Sequence, residues 1–248
     1  MSRSLRNALA SLAGRWAKED PFASLVPDKK YLIDFACDRF HIKSFADLGG
    51  VWNVDGGYTF YALQKGRIEK ALLVDTDFTR RVIEQRAAWP ALQLIGGNFG
   101  SEETLQKIGE VDVVMFFDTL LHQVDPDWDK VLELYAPRAR CFLILNQQFT
   151  AAAKSVRLLD LGEEEYFRNI PHTRDEEPYK SVFERMFEIH PKHHRIYRDI
   201  HNIWQWGITD DDLIGKMTAL GFKLLFYKNA GKLFNLENFE SHAFVFKR

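Results

Sequence analysis

The sequence predicts an α/β domain built on a doubly wound, mostly parallel sheet that a helical insertion interrupts late in the chain. Between residues 44 and 149, short apolar runs alternate with segments whose apolar residues recur every three or four positions. This alternation is typical of strands that are buried on both faces and joined by helical crossovers. Near the C-terminus two apolar runs follow each other without a helix between them. They predict an antiparallel pair, because a parallel pair requires a crossover.

The first part of the predicted sheet domain spans residues 44–150. Its strands are residues 44–48, 71–74, 92–95, 111–117 and 141–145. Its helices are residues 58–64, 78–89, 102–108 and 127–135. The strands are nearly continuous in Val, Ile, Leu and Phe, whereas each helix carries one apolar stripe.

Residues 151–206 break this rhythm and hold five of the eight histidines. A structureless loop of that length is uncommon in a compact domain, and residues 180–188 carry a helical pattern. We therefore predict a helical cap that serves as a substrate insertion. The sheet domain resumes over residues 207–248, where Thr209 and three aspartates begin a helix and the antiparallel strands 222–227 and 242–246 follow.

Residues 1–43 are predicted to form an N-terminal helical cover. Leu5, Ala8, Leu9, Leu12 and Trp16 recur at helical spacing, and charges interrupt the run before a secretory signal could form. Packing of this stripe on its own domain is the favoured interpretation. The alternative is a basic amphipathic helix on a membrane surface, which would make the protein a membrane-associated enzyme acting on a lipid.

Composition excludes several classes of protein. The 248 residues are 46% hydrophobic and 14% aromatic, which excludes a disordered chain. Thirty-three basic and 35 acidic side chains leave a formal charge of −2, so nucleic acid is not an expected partner. No apolar stretch approaches the roughly 20 residues that cross a bilayer. The two cysteines, Cys37 and Cys141, indicate a reducing compartment, and we expect a cytoplasmic protein; the oligomeric state is left open, a homo-oligomer included.

Four candidate site segments follow successive strands of the predicted sheet. They are Asp47-Leu48-Gly49-Gly50 with Asp55, Gly56 and Gly57; Asp75; Gly97-Asn98-Phe99; and Asp118 with His122. Ligands of doubly wound sheets bind at the carboxyl ends of the strands. Glycines let a backbone approach a ligand closely, and a carboxylate such as Asp75 can accept hydrogen bonds from both hydroxyls of a ribose. An amide and an aromatic ring at Asn98 and Phe99 would suit a purine. Turn formation and helix capping are the alternative roles for each segment.

These segments resemble the class I (Rossmann-like) S-adenosylmethionine-dependent methyltransferases. The likeness covers about residues 44–149 and 207–248 and depends on Phe45-Ala46-Asp47-Leu48-Gly49-Gly50, Leu72-Leu73-Val74-Asp75, Gly97-Asn98-Phe99 and the run from Val113 to His122. The resemblance implies a seven-stranded sheet of order 3-2-1-4-5-7-6 whose last strand is antiparallel. It also implies S-adenosyl-L-methionine as the cofactor.

The resemblance assigns a role to each candidate position. The loop that contains Asp47, Gly49, Gly50, Gly56 and Gly57 would wrap the methionine part and the sulfonium. Asp75 would bind the ribose hydroxyls, Asn98 and Phe99 would lie beside the adenine, and Asp118 would lie close to the reacting methyl.

The first loop departs from the usual family pattern. That pattern is acidic-x-Gly-x-Gly-x-Gly, whereas here Gly50 and five further residues separate Gly49 from Gly56. A non-catalytic descendant that uses the fold as a binding or scaffold module is therefore the alternative function. A nicotinamide dehydrogenase is a weaker alternative, because it requires Gly-x-Gly-x-x-Gly after the first strand.

Methylation of a hydroxyl requires a base or a metal near the acceptor. His201 is the first candidate base because it lies where the insertion rejoins the sheet domain, beside Trp204 and Trp206. Asp118 and His122 are the competing candidates. The His190, His193 and His194 group is interpreted as a solvated turn rather than a zinc site, since neither a Cys pair nor His-Glu-x-x-His accompanies it. The sequence thus predicts O-methylation of a small-molecule acceptor and offers no metal ligands, and the assistance of a metal is left open.

Overall fold

The computed structural model describes residues 21–232 and 236–248. The predicted apolar stripe from Leu5 to Trp16 lies outside the described residues. The strands are β1 (Ser44–Leu48), β2 (Lys70–Asp75), β3 (Leu92–Gly96), β4 (Val111–Phe117), β5 (Ala139–Phe149), β6 (Val156–Arg157), β7 (Trp206–Gly207), β8 (Lys223–Asn229) and β9 (Phe239–Lys247). The α-helices are α1 (Pro27–Phe40), α2 (Gly57–Lys65), α3 (Arg80–Arg86), α4 (Glu102–Ile108), α5 (Trp128–Tyr135), α6 (Glu163–Arg168) and α7 (Asp210–Ala219).

Seven strands form one sheet in the order β3-β2-β1-β4-β5-β9-β8. The first five strands pair in parallel, whereas β9 is antiparallel to both β5 and β8. Because β8 and β9 are the sixth and seventh strands of this sheet along the chain, the predicted order and the predicted antiparallel pair are confirmed. The order reverses at β1, since β2 lies on one side of it and β4 on the other.

The sheet separates two apolar layers. Phe45 of β1 belongs to the layer that contains Leu32 and Ile33 of α1. Its neighbour Ala46 belongs to the layer that contains Leu132 of α5 and Leu213 of α7. Successive residues of a strand point to opposite faces, so each central strand contributes to both layers. The continuous apolar runs in the sequence have this cause.

Local signals explain where several helices begin. Pro27 lies at the first turn of α1, where its missing N–H costs nothing. The side chains of Thr79, Ser101 and Thr209 each accept a hydrogen bond from a backbone N–H of the first turn of α3, α4 and α7 respectively. These caps satisfy donors that a helix leaves unpaired at its start.

Strand β5 is longer than the sequence predicted. The apolar run ends at Leu145, but the strand continues to Phe149 because β9 pairs with it throughout, as far as Phe239 opposite Phe149. The extension places the polar residues Asn146, Gln147 and Gln148 inside a buried strand. The periodicity of the sequence could not show this, because the hydrogen bonds come from a strand some ninety residues away.

The insertion at residues 151–206 is only partly helical. It holds α6, three short 3-10 helices and the β6–β7 ladder, and most of its other residues form turns. The prediction of a helix over residues 180–188 is wrong, since only a 3-10 helix at Tyr179–Ser181 touches this stretch. The apolar residues Tyr179, Val182, Phe183 and Met186 do pack into one cluster, but the backbone between them forms turns. The carbonyls of Met186 and Glu188 accept hydrogen bonds from the N–H groups of Arg198 and Tyr197, so they do not continue a helix.

Within the described part of the chain, no helix is long and apolar enough to cross a membrane.

Candidate functional site

Asp47 lies in β1 with its side chain pointing towards α2. It is 1% exposed, and its Oδ2 accepts a hydrogen bond of 2.7 Å from the Thr59 hydroxyl. Burial raises its pKa to about 6; the nearby Asp75 also raises it, whereas the Thr59 hydrogen bond and Lys29 lower it. Asp47 therefore supports the following loop from beneath, and its carboxyl group is not open to solvent.

The loop after β1 is held in a tight bend by its own backbone. Gly49 donates to the Val74 carbonyl at 2.8 Å, and Gly56 donates to the Gly50 carbonyl at 3.0 Å. Gly49 and Gly56 have φ values of +76° and +70°, a region that glycine enters without steric cost. A Cβ atom at Gly50 would lie 2.6 Å from Cγ of Asp47. The bend therefore requires glycine, although its sequence departs from the compact family pattern.

Asp75 joins this bend to the end of β2. Its Oδ2 accepts a hydrogen bond of 3.0 Å from the Val51 N–H, and its Oδ1 accepts one of 2.8 Å from the Thr76 N–H. Burial raises the pKa of Asp75, the two N–H groups lower it, and the net direction is upward. The carboxylate and the glycine bend, which the sequence predicted as neighbours, are in direct contact.

The segment after β3 turns next to Asp75. Gly97 donates to the Asp75 carbonyl at 3.0 Å, and the Asn98 side chain accepts from the Gly100 N–H at 2.8 Å. Phe99 behaves differently: it is 7% exposed, its ring packs edge-on against Phe116, and it belongs to the core. Contact of Asn98 and Phe99 with the adenine stays a prediction; the Phe99 ring also lies beside the bend, since its Cε1 atom is 3.6 Å from the position that a Cβ of Gly49 would take.

Asp118 follows β4 and forms an ion pair that crosses the crevice. Its φ is +58°, an uncommon conformation for a residue other than glycine and one that often marks functional positions. Its Oδ2 lies 2.6 Å from Nζ of Lys29, which comes from α1. Its Oδ1 accepts a hydrogen bond of 3.3 Å from the Gln147 side chain. Because the Asp118 side chain is 31% exposed, it is accessible from solvent.

Two buried polar atoms next to Asp118 have no hydrogen-bond partner among the described residues. They are Oε1 of Gln147 and Oγ1 of Thr119. Leaving such atoms unpaired costs about 1–3 kcal/mol each. A bound ligand or an ordered water is the usual partner of such an atom in a folded protein.

The two candidate histidines are engaged by backbone carbonyls. Nδ1 of His122 lies 2.7 Å from the Ile203 carbonyl, and burial lowers its pKa although the Ile203 contact and Asp118 raise it. Nε2 of His201 lies 2.8 Å from the Val124 carbonyl and also contacts Arg195. Burial lowers the pKa of His201 as well. The expectation that His201 faces the reacting methyl is not supported, because its Nε2 is turned to the segment after Leu120–His122.

His190, His193 and His194 form a local turn in the insertion. The Nδ1 atom of His190 accepts from the backbone N–H of Lys192, and the His190 and His193 rings lie 4.6 Å apart. Over residues 21–232 and 236–248, no group of three His, Cys, Asp or Glu side chains is arranged to hold a metal ion.

Lys29 and Gln147 contact Asp118 but are not among the site residues predicted from the sequence. Lys29 occupies the buried stripe of α1 together with Leu32, Ile33 and Ala36. A lysine in such a stripe is a signal for a buried ion pair, since buried charges are normally paired. Gln147 gave no comparable signal, because it became a site residue only through the extension of β5.

Comparison with known proteins identifies the fold. No protein-family model and no curated protein sequence matches the chain. The N-terminal domain of EvdMO1, solved in the presence of SAH and D-fucose, is 12% identical with a TM-score of 0.58, over 100% of this chain and 97% of that one. The 1,6-didemethyltoxoflavin-N1-methyltransferase of Burkholderia thailandensis is 12% identical with a TM-score of 0.56, over 98% and 87%.

A third similar structure is an O-methyltransferase family protein from Burkholderia thailandensis. It is 16% identical with a TM-score of 0.52 over 90% of this chain, which spans 55% of that protein. Together with the strand order, these similarities show that the chain has the fold of class I methyltransferases.

Proposed function

We propose that the protein is an S-adenosylmethionine-dependent methyltransferase that methylates an oxygen of a small molecule. The observation that carries this proposal is the Asp75 carboxylate, which lies at the end of β2 and is bonded to Val51 in the glycine bend after β1. In doubly wound sheets this is the crevice where nucleotides bind, because the strand order reverses there.

The residues of the crevice fit the cofactor. Asp75 is a partly buried carboxylate that can accept hydrogen bonds from two ribose hydroxyls. A Cβ atom at Gly49 or Gly50 would clash with Thr119 or Asp47, so the bend presents backbone without side chains there, which suits the methionine part. Asn98 lies in the turn that follows Gly97, next to Asp75, and so could contact the adenine.

Catalysis would depend mainly on alignment. The cofactor supplies a methyl group on a sulfonium, which is already an activated leaving group. The chain has to hold the acceptor in line with that group, and orientation of this kind can supply several kcal/mol of the barrier. Asp118 lies at the end of β4, where the acceptor would be positioned. Its carboxylate contacts Lys29 of α1 and Gln147 of β5 there.

A small-molecule acceptor is supported by two observations. The proteins of similar fold include enzymes named for small molecules, such as the toxoflavin N-methyltransferase. In this chain, the formal charge of −2 does not favour a polyanionic acceptor. The insertion at 151–206 is then the segment that would shape the acceptor side, with residues 44–150 and 207–248 as the cofactor-binding core.

Calorimetry with S-adenosylhomocysteine tests the proposal. The wild-type protein should bind it with a micromolar Kd. Asp75→Ala should weaken binding by 50-fold or more, because it removes two hydrogen bonds to a charged group, each worth about 1.5–3 kcal/mol. Asp77→Ala is the matched control, since it removes a neighbouring carboxylate that follows the strand, and it should change Kd by less than threefold.

A non-catalytic binding protein is the second candidate. The long bend between Gly49 and Gly56 favours a non-catalytic protein, because this bend departs from the compact pattern of cofactor-binding loops. Absence of binding to both S-adenosylmethionine and S-adenosylhomocysteine by a folded wild-type protein would support this candidate and would contradict the enzyme.

A further inference from the structure

Lys29 is a buried cation at the place where the acceptor would meet the cofactor. It belongs to α1, yet its side chain is only 8% exposed and its ammonium group pairs with Asp118 at the end of β4. The ammonium also lies 5.0 Å from the centre of the Tyr58 ring and 5.8 Å from that of Phe117. Aromatic faces of this kind attract a cation without neutralising it.

The groups that face Lys29 keep it protonated. Burial lowers its pKa, but Asp118, Tyr58 and Asp47 raise it, and the net pKa lies above the ordinary value. Of these groups, Tyr58 has a raised pKa caused mainly by burial and stays neutral. Asp47 is close to half protonated near pH 6. Asp118 is therefore the main counter-charge of Lys29 in this part of the crevice.

A bound sulfonium would change this balance. Two positive charges, the sulfonium and the Lys29 ammonium, would then share Asp118. Like charges that lie close together in a partly buried site repel each other more strongly than they would in water. A negatively charged acceptor oxygen would restore neutrality, whereas a neutral or cationic acceptor would not.

We propose that Lys29 determines acceptor specificity by selecting a small molecule whose acceptor oxygen is ionised, such as a phenolate or an enolate. This inference rests on the proposed function. The anionic oxygen would lie against the Lys29 ammonium, with the Thr119 hydroxyl as a further donor. The oxygen of that hydroxyl is buried and has no partner in the described structure.

The reaction then balances without a general base. The acceptor binds as its anion, having lost its proton to solvent. A lone pair of its oxygen forms the new O–C bond while the C–S bond breaks, and the pair of the broken bond stays on sulfur. The products are a methyl ether and a neutral thioether. The route therefore requires no proton transfer to His122 or His201, each of which has one ring nitrogen engaged by a backbone carbonyl.

The test compares an anion with its neutral methyl ether. The wild-type protein is loaded with sinefungin, an S-adenosylmethionine analogue whose protonated amine replaces the charge of the sulfonium. This complex is titrated with 4-nitrophenol at a pH where the phenol is ionised, and separately with 4-nitroanisole. Binding of the phenolate is followed by its visible absorbance and by calorimetry. We expect the phenolate to bind at least tenfold more tightly than the ether.

Three variants separate a role in selection from a role in folding. Lys29→Met should bind SAH within threefold of wild type but reduce the preference for the phenolate by about tenfold. Lys29→Arg should keep most of that preference. Lys30→Met, which removes the adjacent positive charge of α1, should leave the preference for the phenolate over the ether unchanged.

The outcomes distinguish the two proposals. If the wild-type protein does not bind SAH, the proposed function fails and this inference fails with it. If SAH binds but the phenolate binds no more tightly than the ether, or is not bound at millimolar concentration, the inference is wrong and the proposed function stands. An equal preference in Lys29→Met and wild type would also overturn the inference, and would leave Lys29 a purely structural ion-pair partner.

Discussion

The two halves of the crevice differ in how their buried polar groups are satisfied. In the half formed by β1 and β2, Asp47 is bonded to Thr59 and Asp75 to Val51 and Thr76. In the half formed by β4 and β5, Thr119 and Gln147 each keep a buried oxygen without a partner among the described residues. The two carboxyl groups of the first half have hydrogen-bond partners within the protein, whereas the second half holds two oxygens that a ligand or a water could pair with.

This difference indicates that the two halves bind different ligands. A preorganised half binds its ligand with little reorganisation, which favours affinity. A half with unpaired polar groups gains more from a ligand that pairs them, which favours selectivity. We therefore associate the β1–β2 half with the cofactor and the β4–β5 half with the acceptor.

The largest effect is expected where the first half is most tightly packed. Gly50→Ala would place a Cβ atom 2.6 Å from Cγ of the buried Asp47, forcing the carboxyl group out of its hydrogen bond with Thr59. Overpacking and the lost bond together should destabilise the protein by about 3–4 kcal/mol, measured by urea denaturation.

Gly215→Ala is the matched control for that substitution. Gly215 lies inside α7, and a Cβ atom added there would have nothing within 4 Å. Alanine at this position should therefore raise the free energy of unfolding by roughly 0.5–1 kcal/mol. A Gly50→Ala protein as stable as wild type would show that the first half is not rigidly packed.

The protonation of Asp47 should make the stability of the first half depend on pH. Burial raises its pKa from 3.8 to about 6, so the folded state holds a proton that the unfolded state loses between these values. Protonated Asp47 therefore contributes about 2–3 kcal/mol to the free energy of unfolding below about pH 4. This contribution is lost as the pH rises through 6.

Asp47→Asn removes this titration. In urea denaturation between pH 4.5 and 7, the stability of wild type relative to Asp47→Asn should therefore fall as pH rises. Parallel pH profiles for the two proteins would show that Asp47 is ionised throughout and would contradict the expectation.

Two isosteric substitutions compare the halves directly. Thr59→Val removes the donor to buried Asp47 and should destabilise by about 2 kcal/mol. Thr119→Val removes a hydroxyl oxygen that has no partner in the described structure, so the free energy of unfolding should stay the same or rise by up to about 1 kcal/mol. Equal destabilisation by both, measured by thermal and urea unfolding, would remove the distinction between the halves.

The smallest effect on cofactor binding is expected at His201, in the insertion that borders the second half. His201→Ala removes a hydrogen bond to the Val124 carbonyl and should destabilise by about 1 kcal/mol. The Kd for SAH should stay within threefold of wild type, as calorimetry would show. A tenfold loss of SAH affinity would instead place His201 next to the cofactor.

Much of the core could be predicted because its signals are local or periodic. Strands β1 to β4 are short apolar runs, and Asp75 and Asp118 follow the last apolar residues of β2 and β4, so their place at one edge of the sheet follows from parallel topology. Residues 180–188 show where this reasoning fails. Their apolar residues have helical spacing and pack into one cluster, but the backbone forms turns whose carbonyls pair with Tyr197 and Arg198.

By itself, the sequence determined the parallel core, the antiparallel end of the sheet and the contact between Asp75 and the glycine bend. These depend on hydrophobic periodicity and on glycine conformation, which neighbouring residues set. Only the tertiary structure decided that Lys29 pairs with Asp118, that Gln147 enters a buried strand and that Phe99 lies in the core. Each of these depends on contacts between segments far apart in the chain, whose geometry is fixed only once the whole sheet has assembled.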